Sequence, residues 1–88
     1  MFSLILYGKP GIGKTTIAQV TANELELPVR FLNEVINNKQ DFDIAIAEAK
    51  MQGTLLLVVD EIHRMNKDKQ DILLPHIENG TIVLIGYS

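Results

Sequence analysis

Cysteine and tryptophan are both missing from this chain of 88 residues, which has three Phe and two Tyr as its only aromatic residues of the Phe/Trp/Tyr class. Without thiols there is neither a disulfide framework nor a thiolate metal site, a composition that fits a reducing interior. The few aromatics form no regular stripe, so a base-stacking platform for single strands is not indicated. Two histidines in separate segments make no metal-ligand cluster. Basic charge is also short: eight Lys+Arg face eleven Asp+Glu, a formal charge of −3, which argues against an overall basic fold that coats nucleic acid. Long apolar runs are lacking. The stretch over residues 1–7 is too short to span a bilayer and carries no basic leader region or small-residue cleavage site, so no membrane segment, no signal peptide and a cytoplasmic location are expected. What is present is 47% hydrophobic and 22% charged residues, too apolar for disorder and enough for one small domain that buries roughly 60–65% of its unfolded surface.

Short apolar runs alternate with helical stretches. Residues 2–7 read as a strand apolar on both faces, ended by a glycine-rich turn. Residues 15–25 read as a helix with Ile17, Val20, Thr21 and Leu25 toward one face, and Pro28 marks its end. Residues 29–32 are a short second strand. Asp41 is the expected N-cap of a helix to Lys50 with Phe42, Ile46 and Ala49 on one stripe, and Gly53 ends it. Residues 54–59 make the strongest strand, again apolar on both faces. A third helix runs from Asn66 to about Asn79 with Ile72, Leu73 and Ile77 inward, Pro75 kinking it or starting a new turn and Gly80 ending it. Residues 81–85 are a fourth strand. This β-α-β-α-β-α-β order with doubly buried strands predicts an α/β fold, a parallel sheet with helices on its faces. Repeats, low-complexity segments and linkers are absent.

Gly8-Lys9-Pro10-Gly11-Ile12-Gly13-Lys14-Thr15 fits the phosphate-loop pattern G-x-x-x-x-G-K-[ST] without a gap. Wrapping polyphosphate oxygens with successive backbone N–H groups needs glycine where the chain approaches closely or φ turns positive. The helix that follows presents its free amides and positive dipole end to the same phosphates. Apolar strand before and helix after are the context the motif requires. Gly8, Pro10, Gly11, Ile12, Gly13, Lys14, Thr15 and Thr16 are therefore the expected nucleotide-binding residues, with Lys14 as the cation for the β/γ-phosphates and the Thr15 hydroxyl as a Mg²⁺ ligand.

The strand over residues 54–59 runs into Asp60-Glu61. Ligands of parallel sheets bind at the carboxyl ends of the strands, so this acidic pair and the phosphate loop can meet on one nucleotide. Asp60 is the expected second Mg²⁺ ligand, through water. Glu61, one residue on, is the expected catalytic base, orienting and deprotonating a water. A carboxylate in that role favours hydrolysis over transfer to a small molecule.

The segment from Gly8 to Thr16 with Leu55 to Glu61 resembles the AAA+ ATPases. The longer run Asp60-Glu61-Ile62-His63-Arg64-Met65-Asn66-Lys67, with Gln70-Asp71, Leu73-Leu74-Pro75-His76-Ile77-Glu78, Gly80-Thr81 and Leu84-Ile85-Gly86, is similar to the replication-associated recombination protein A family, related to the Werner helicase-interacting ATPases. Leu32-Asn33 with Val35 resembles that family too, and the likeness covers nearly the whole chain. It implies a P-loop core of strand order 5-1-4-3-2, here without strand 5, using ATP and Mg²⁺. It further implies action on DNA at stalled forks, association with single-stranded-DNA-binding protein, and homo-oligomers. Lys9 stands where that family usually has proline. The pattern would continue past Gly86-Tyr87-Ser88, with Ser88 at a sensor position, so residues 1–88 are expected to be a partial ATP-binding domain, weakly active alone because the trans-acting arginine lies outside it. With no fifth strand beside it, the strand over residues 2–7 is expected to be an exposed edge that favours self-association.

Other features have plainer readings. Asp60-Glu61-Ile62-His63 also fits a D-E-x-H helicase signature, but the downstream run favours the AAA+ reading. His63 is expected to be a hydrogen-bonding or surface residue, and His76 structural or at an interface. Arg64, Lys67 and Lys69, interleaved with Asp68 and Asp71, are expected to form a solvated helix face. Tyr7 and Tyr87 are expected to pack on the sheet. A non-hydrolysing, nucleotide-switched interaction module and a small-molecule kinase are the rival functions. The kinase would need an acceptor site and an arginine-rich lid.

Overall fold

The computed structural model describes residues 3–5 and 14–87, with side chains over 17–87. Four strands, β1 (Ser3–Ile5), β2 (Val29–Asn33), β3 (Leu55–Asp60) and β4 (Ile82–Gly86), alternate with helices α1 (Lys14–Leu25), α2 (Lys39–Gln52) and α3 (Lys67–Glu78). They form one sheet of order β1-β4-β3-β2, parallel at every pairing. This is the expected α/β P-loop arrangement with the 1-4-3-2 part of the predicted order.

Leu55, Leu56, Leu57, Val58 and Val59 are all buried, as a central parallel strand covered on both faces demands. Alternation divides them. Leu55, Leu57 and Val59 pack with Leu32, Ile82 and Leu84 under α2 and α3, through Phe42, Ala45, Ile46, Ala49, Leu73 and Ile77. Leu56 and Val58 pack with Ile85 and Tyr87 under α1, through Ala18 and Ala22. Tyr87 is thus a packing residue as expected; Tyr7 lies outside the described residues.

Helix α1 corrects the predicted face. Ile17, Val20 and Leu25 are exposed, at 46%, 52% and 49%, whereas Ala18 and Ala22 are buried. Small side chains let this helix lie close on the sheet, and its larger apolar residues fall to the side. It ends in a Schellman arrangement: the Glu26 N–H donates to the Asn23 carbonyl (3.3 Å) and the Leu27 N–H to the Ala22 carbonyl (3.0 Å), with Glu26 left-handed at φ 56°.

Helix α2 starts earlier than predicted. Asn38, not Asp41, is the N-cap: its side chain accepts from the Asp41 N–H, and the Asp41 carboxylate accepts from the Asn38 N–H, a reciprocal capping box. Gly53 ends α2 at φ 102°, a conformation that favours glycine. Asn66 caps α3 by accepting from the Lys69 N–H (3.0 Å). Helix α3 runs through Pro75, which falls in its last turn, and no new helix begins there.

Candidate functional site

At the carboxyl ends of the strands, Asp60 is the last residue of β3 and pairs in register with Asn33, the last of β2. It continues the series Leu56, Val58, Asp60 and so belongs to the face that α1 covers. A pocket of about 230 Å³ opens there, lined by Phe31, Leu32, Asn33, Asn37, Val58, Asp60 and Tyr87. Helix α1, which begins at Lys14, lies over this same face. Gly8, Pro10, Gly11, Ile12 and Gly13 lie outside the described residues, as does Ser88. Lys14, Thr15 and Thr16 are placed as the first turn of α1, by backbone only.

Glu61 leaves the strand in the left-handed region, at φ 56° and ψ 38°. A non-glycine residue held there is uncommon and strained. Neighbouring bonds fix it. The Glu61 N–H donates to Asp60 Oδ1 at 2.9 Å. The Tyr87 N–H donates to the Val59 carbonyl at 2.9 Å, and the Ile62 N–H donates to the Tyr87 carbonyl at 2.7 Å. The β3–β4 ladder is thereby carried past the strand ends into the short 3₁₀ turn Ile62–Arg64. Gly86 makes that closure possible: a Cβ there would lie 2.3 Å from Ile62 Cδ1 and 3.1 Å from its Cγ2. Any side chain at position 86 would force Ile62 to shift from its seat over the end of β4.

The Glu61 carboxylate has two neighbours with basic side chains, His63 and Arg64. Its Oε2 is 3.3 Å from His63 Nε2 and 3.9 Å from Arg64 Nε. His63 is thus an exposed residue that touches the expected base. Lys67 pairs with Asp71 at 3.4 Å on an exposed helix face, as expected of the basic cluster. Lys69 departs from that expectation: it turns inward and pairs with Glu34 at 2.6 Å. Nothing in the sequence pattern singled out Glu34, because its partner is 35 residues away.

No group of three or more His, Asp or Glu able to hold a metal ion occurs among the described residues. A Mg²⁺ that rides on substrate phosphates needs only one or two protein oxygens, and the Asp60 carboxylate at the strand end meets that requirement. Among the described residues, no helix is long and apolar enough to cross a membrane.

Comparison with known proteins agrees with the fold. Residues 1–87 match the family model described as the Holliday junction DNA helicase RuvB P-loop domain. The chain is 57% identical over 84 residues to replication-associated recombination protein A of Bacillus subtilis, covering 96% of this chain and 20% of that protein. It is 46% identical to ATPase WRNIP1 of Dictyostelium discoideum, covering 96% of this chain and 10% of that protein. A solved structure of a RuvB mutant from Thermotoga maritima superposes with a TM-score of 0.75 at 31% identity, over 99% of this chain and 31% of the other. The chain spans about a fifth or less of the first two relatives' length. The resemblance read from Gly8 to Thr16 and from Asp60 to Gly86 is therefore borne out, and the chain, an α/β P-loop core of the AAA+ type, belongs to the RuvB P-loop domain family.

Proposed function

We propose that residues 1–88 are a partial AAA+ domain that binds Mg·ATP and, in an intact protein, hydrolyses it to drive DNA transactions in replication, recombination or repair at stalled forks. The observation that carries this reading is the placement of Asp60 on the face covered by α1, the helix that begins at Lys14, within the phosphate-loop motif. Gly8, Pro10, Gly11, Ile12 and Gly13 would supply amides to the phosphates, Lys14 a cation, and the first turn of α1, with Thr15 and Thr16, its free N–H groups. Thr15 and Asp60 would hold Mg²⁺, which when bound neutralises phosphate charge. Glu61 would orient the attacking water and take its proton, held in place by the ladder bonds on either side of it. His63 and Arg64 would steady its carboxylate meanwhile. DNA and a single-stranded-DNA-binding protein are the partners that this reading assigns to the intact protein, together with further copies of itself.

Two substitutions test the assignment. Lys14→Ala should abolish most Mg·ATP binding, measured with a fluorescent ATP analogue, while leaving the fold unchanged; wild-type affinity in that variant would remove the phosphate-loop assignment. In an intact, active protein carrying this domain, Glu61→Gln should still bind ATP and lose roughly 10²–10⁴-fold in turnover, the range for a general base. Normal turnover would mean that another group activates the water.

A further inference from the structure

One buried carboxylate belongs to neither the phosphate-loop motif nor the strand-end pair. Glu34 directly follows β2, and its side chain is only 4% exposed. Its Oε1 accepts from Lys69 Nζ at 2.6 Å, and its Oε2 is buried with no hydrogen-bond partner among the described residues. The Lys69 side chain is 13% exposed. Its ammonium also donates to the Asn37 carbonyl at 3.4 Å and lies 5.2 Å from the centre of the Phe42 ring. Buried pairs of this kind contribute little net stability and are often replaceable by apolar groups. Their best-attested use is to specify one geometry over others.

The geometry this pair specifies includes the strand end. The Glu34 N–H donates to the Asp60 carbonyl at 3.0 Å. Glu34 is therefore tied by its main chain to the expected Mg²⁺ ligand and by its side chain to α3. Helix α3 leaves that same strand end a few residues later, through the 3₁₀ turn. Asp60, the 3₁₀ turn, α3, Lys69 and Glu34 thus form a closed circuit. Tyr87 secures the other side of β3 through its bonds to Val59 and Ile62.

We infer that Glu34 and Lys69 are positioning residues: their buried pair clamps the β2–α2 turn to α3 and thereby fixes where Asp60 presents its carboxylate to Mg²⁺. Neither residue belongs to the proposed nucleotide site. The inference rests on the nucleotide site proposed above, but the clamp itself can be read without nucleotide.

The test uses the 88-residue chain and four variants: Lys69→Met, Lys69→Arg, Glu34→Gln, and the double variant Glu34→Gln/Lys69→Met. The double variant removes the buried charge together with the clamp, and so separates loss of positioning from loss of folding. Mg²⁺ is titrated against a bound fluorescent ATP analogue. Lys69→Met and the double variant should weaken apparent Mg²⁺ affinity by roughly tenfold, the low end of the effect of removing a direct partner of a metal ligand, because Lys69 reaches Asp60 only through Glu34. Metal-free analogue binding should stay as in wild type, and Lys69→Arg should keep most of the Mg²⁺ affinity. Hydrogen exchange is measured in parallel on the nucleotide-free chain. The Glu34 amide should lose protection by tenfold or more in both clamp-free variants, while amides within β4 keep theirs. If Lys69→Met does not fold, the double variant and Glu34→Gln carry the measurement. Wild-type Mg²⁺ affinity together with wild-type Glu34 protection in a folded, clamp-free variant would overturn the inference. A wild-type chain that binds no ATP would overturn the nucleotide reading instead, and the exchange data would then decide the clamp alone.

Discussion

The two faces of the sheet are covered in opposite styles. Under α2 and α3, large side chains interlock: Phe42, Leu57, Leu73 and Ile82 are all below 2% exposed. Under α1, the buried contacts that the helix makes among the described residues are two alanines, while Phe31, Ile17 and Val20 stay open to solvent. One face holds the fold together, and the other leaves room at the strand ends for the pocket beside Asp60. The proposed nucleotide site lies on this more open side.

The sharpest way to break this contrast is to truncate one phenylalanine on each face. Phe42 is fully buried between α2, α3 and the sheet, so Phe42→Ala should cost about 3–5 kcal/mol, transfer and cavity terms together. Phe31 lies on the α1 side at 45% exposure, and Phe31→Ala should cost under about 1 kcal/mol. Urea denaturation of both variants measures the difference. Equal losses would mean that the α1 face is as firmly packed as the other.

Next in size is Gly86, where the two faces meet at the strand ends. Gly86→Ala would drive a methyl into Ile62, an overpacking that should cost about 1–3 kcal/mol. Ile62→Val removes the nearest clashing atom, so in a double-mutant cycle the pair should be less destabilised than the sum of the singles. Strict additivity would show that Ile62 does not set the requirement for glycine.

The contrast also marks what could be read from sequence. The stripe Phe42, Ile46, Ala49 was legible because large apolar residues at helical spacing identify a face that interlocks. The same rule failed on α1: it favours Ile17, Val20 and Leu25, whereas close approach to the sheet selects Ala18 and Ala22. The acidic pair was legible as a strand terminus, but its left-handed Glu61 and the contact between Gly86 and Ile62 depend on backbone paths that no local pattern encodes. The alternating charges around Lys69 predict a solvated side chain; its partner Glu34 comes from a different turn, and only the tertiary fold brings the two together. The start of α2 is ambiguous in the sequence for a simpler reason. Asn38 and Asp41 are both capable caps, and each serves the other.

That cap gives a smaller, more local effect on the firmly covered side. Asn38→Ala removes the acceptor for the Asp41 N–H, which should lower stability by about 1 kcal/mol, the typical value for an N-cap. Asn38→Asp should retain most of it. A loss in Asn38→Ala as large as that of Phe42→Ala would mean that the cap also holds the neighbouring β2–α2 turn.

The smallest effect is expected on the open side, from replacing Ile17 and Val20 together by glutamine. Both are exposed on α1, away from the alanine contact with the sheet. Exposed substitutions of this kind ordinarily change stability by no more than about 0.5 kcal/mol. Glutamine is also a better helix former than either β-branched residue, since a β-branched side chain loses χ1 freedom against the preceding turn. The sign should therefore be neutral or slightly stabilising. A urea midpoint measured at low protein concentration checks this, and repeating it at high concentration extends the comparison. A loss of more than about 1 kcal/mol at every concentration would show that something within the chain covers this shoulder of α1. A loss that grows with protein concentration would instead place a second copy on it, because association stabilises the folded state by mass action.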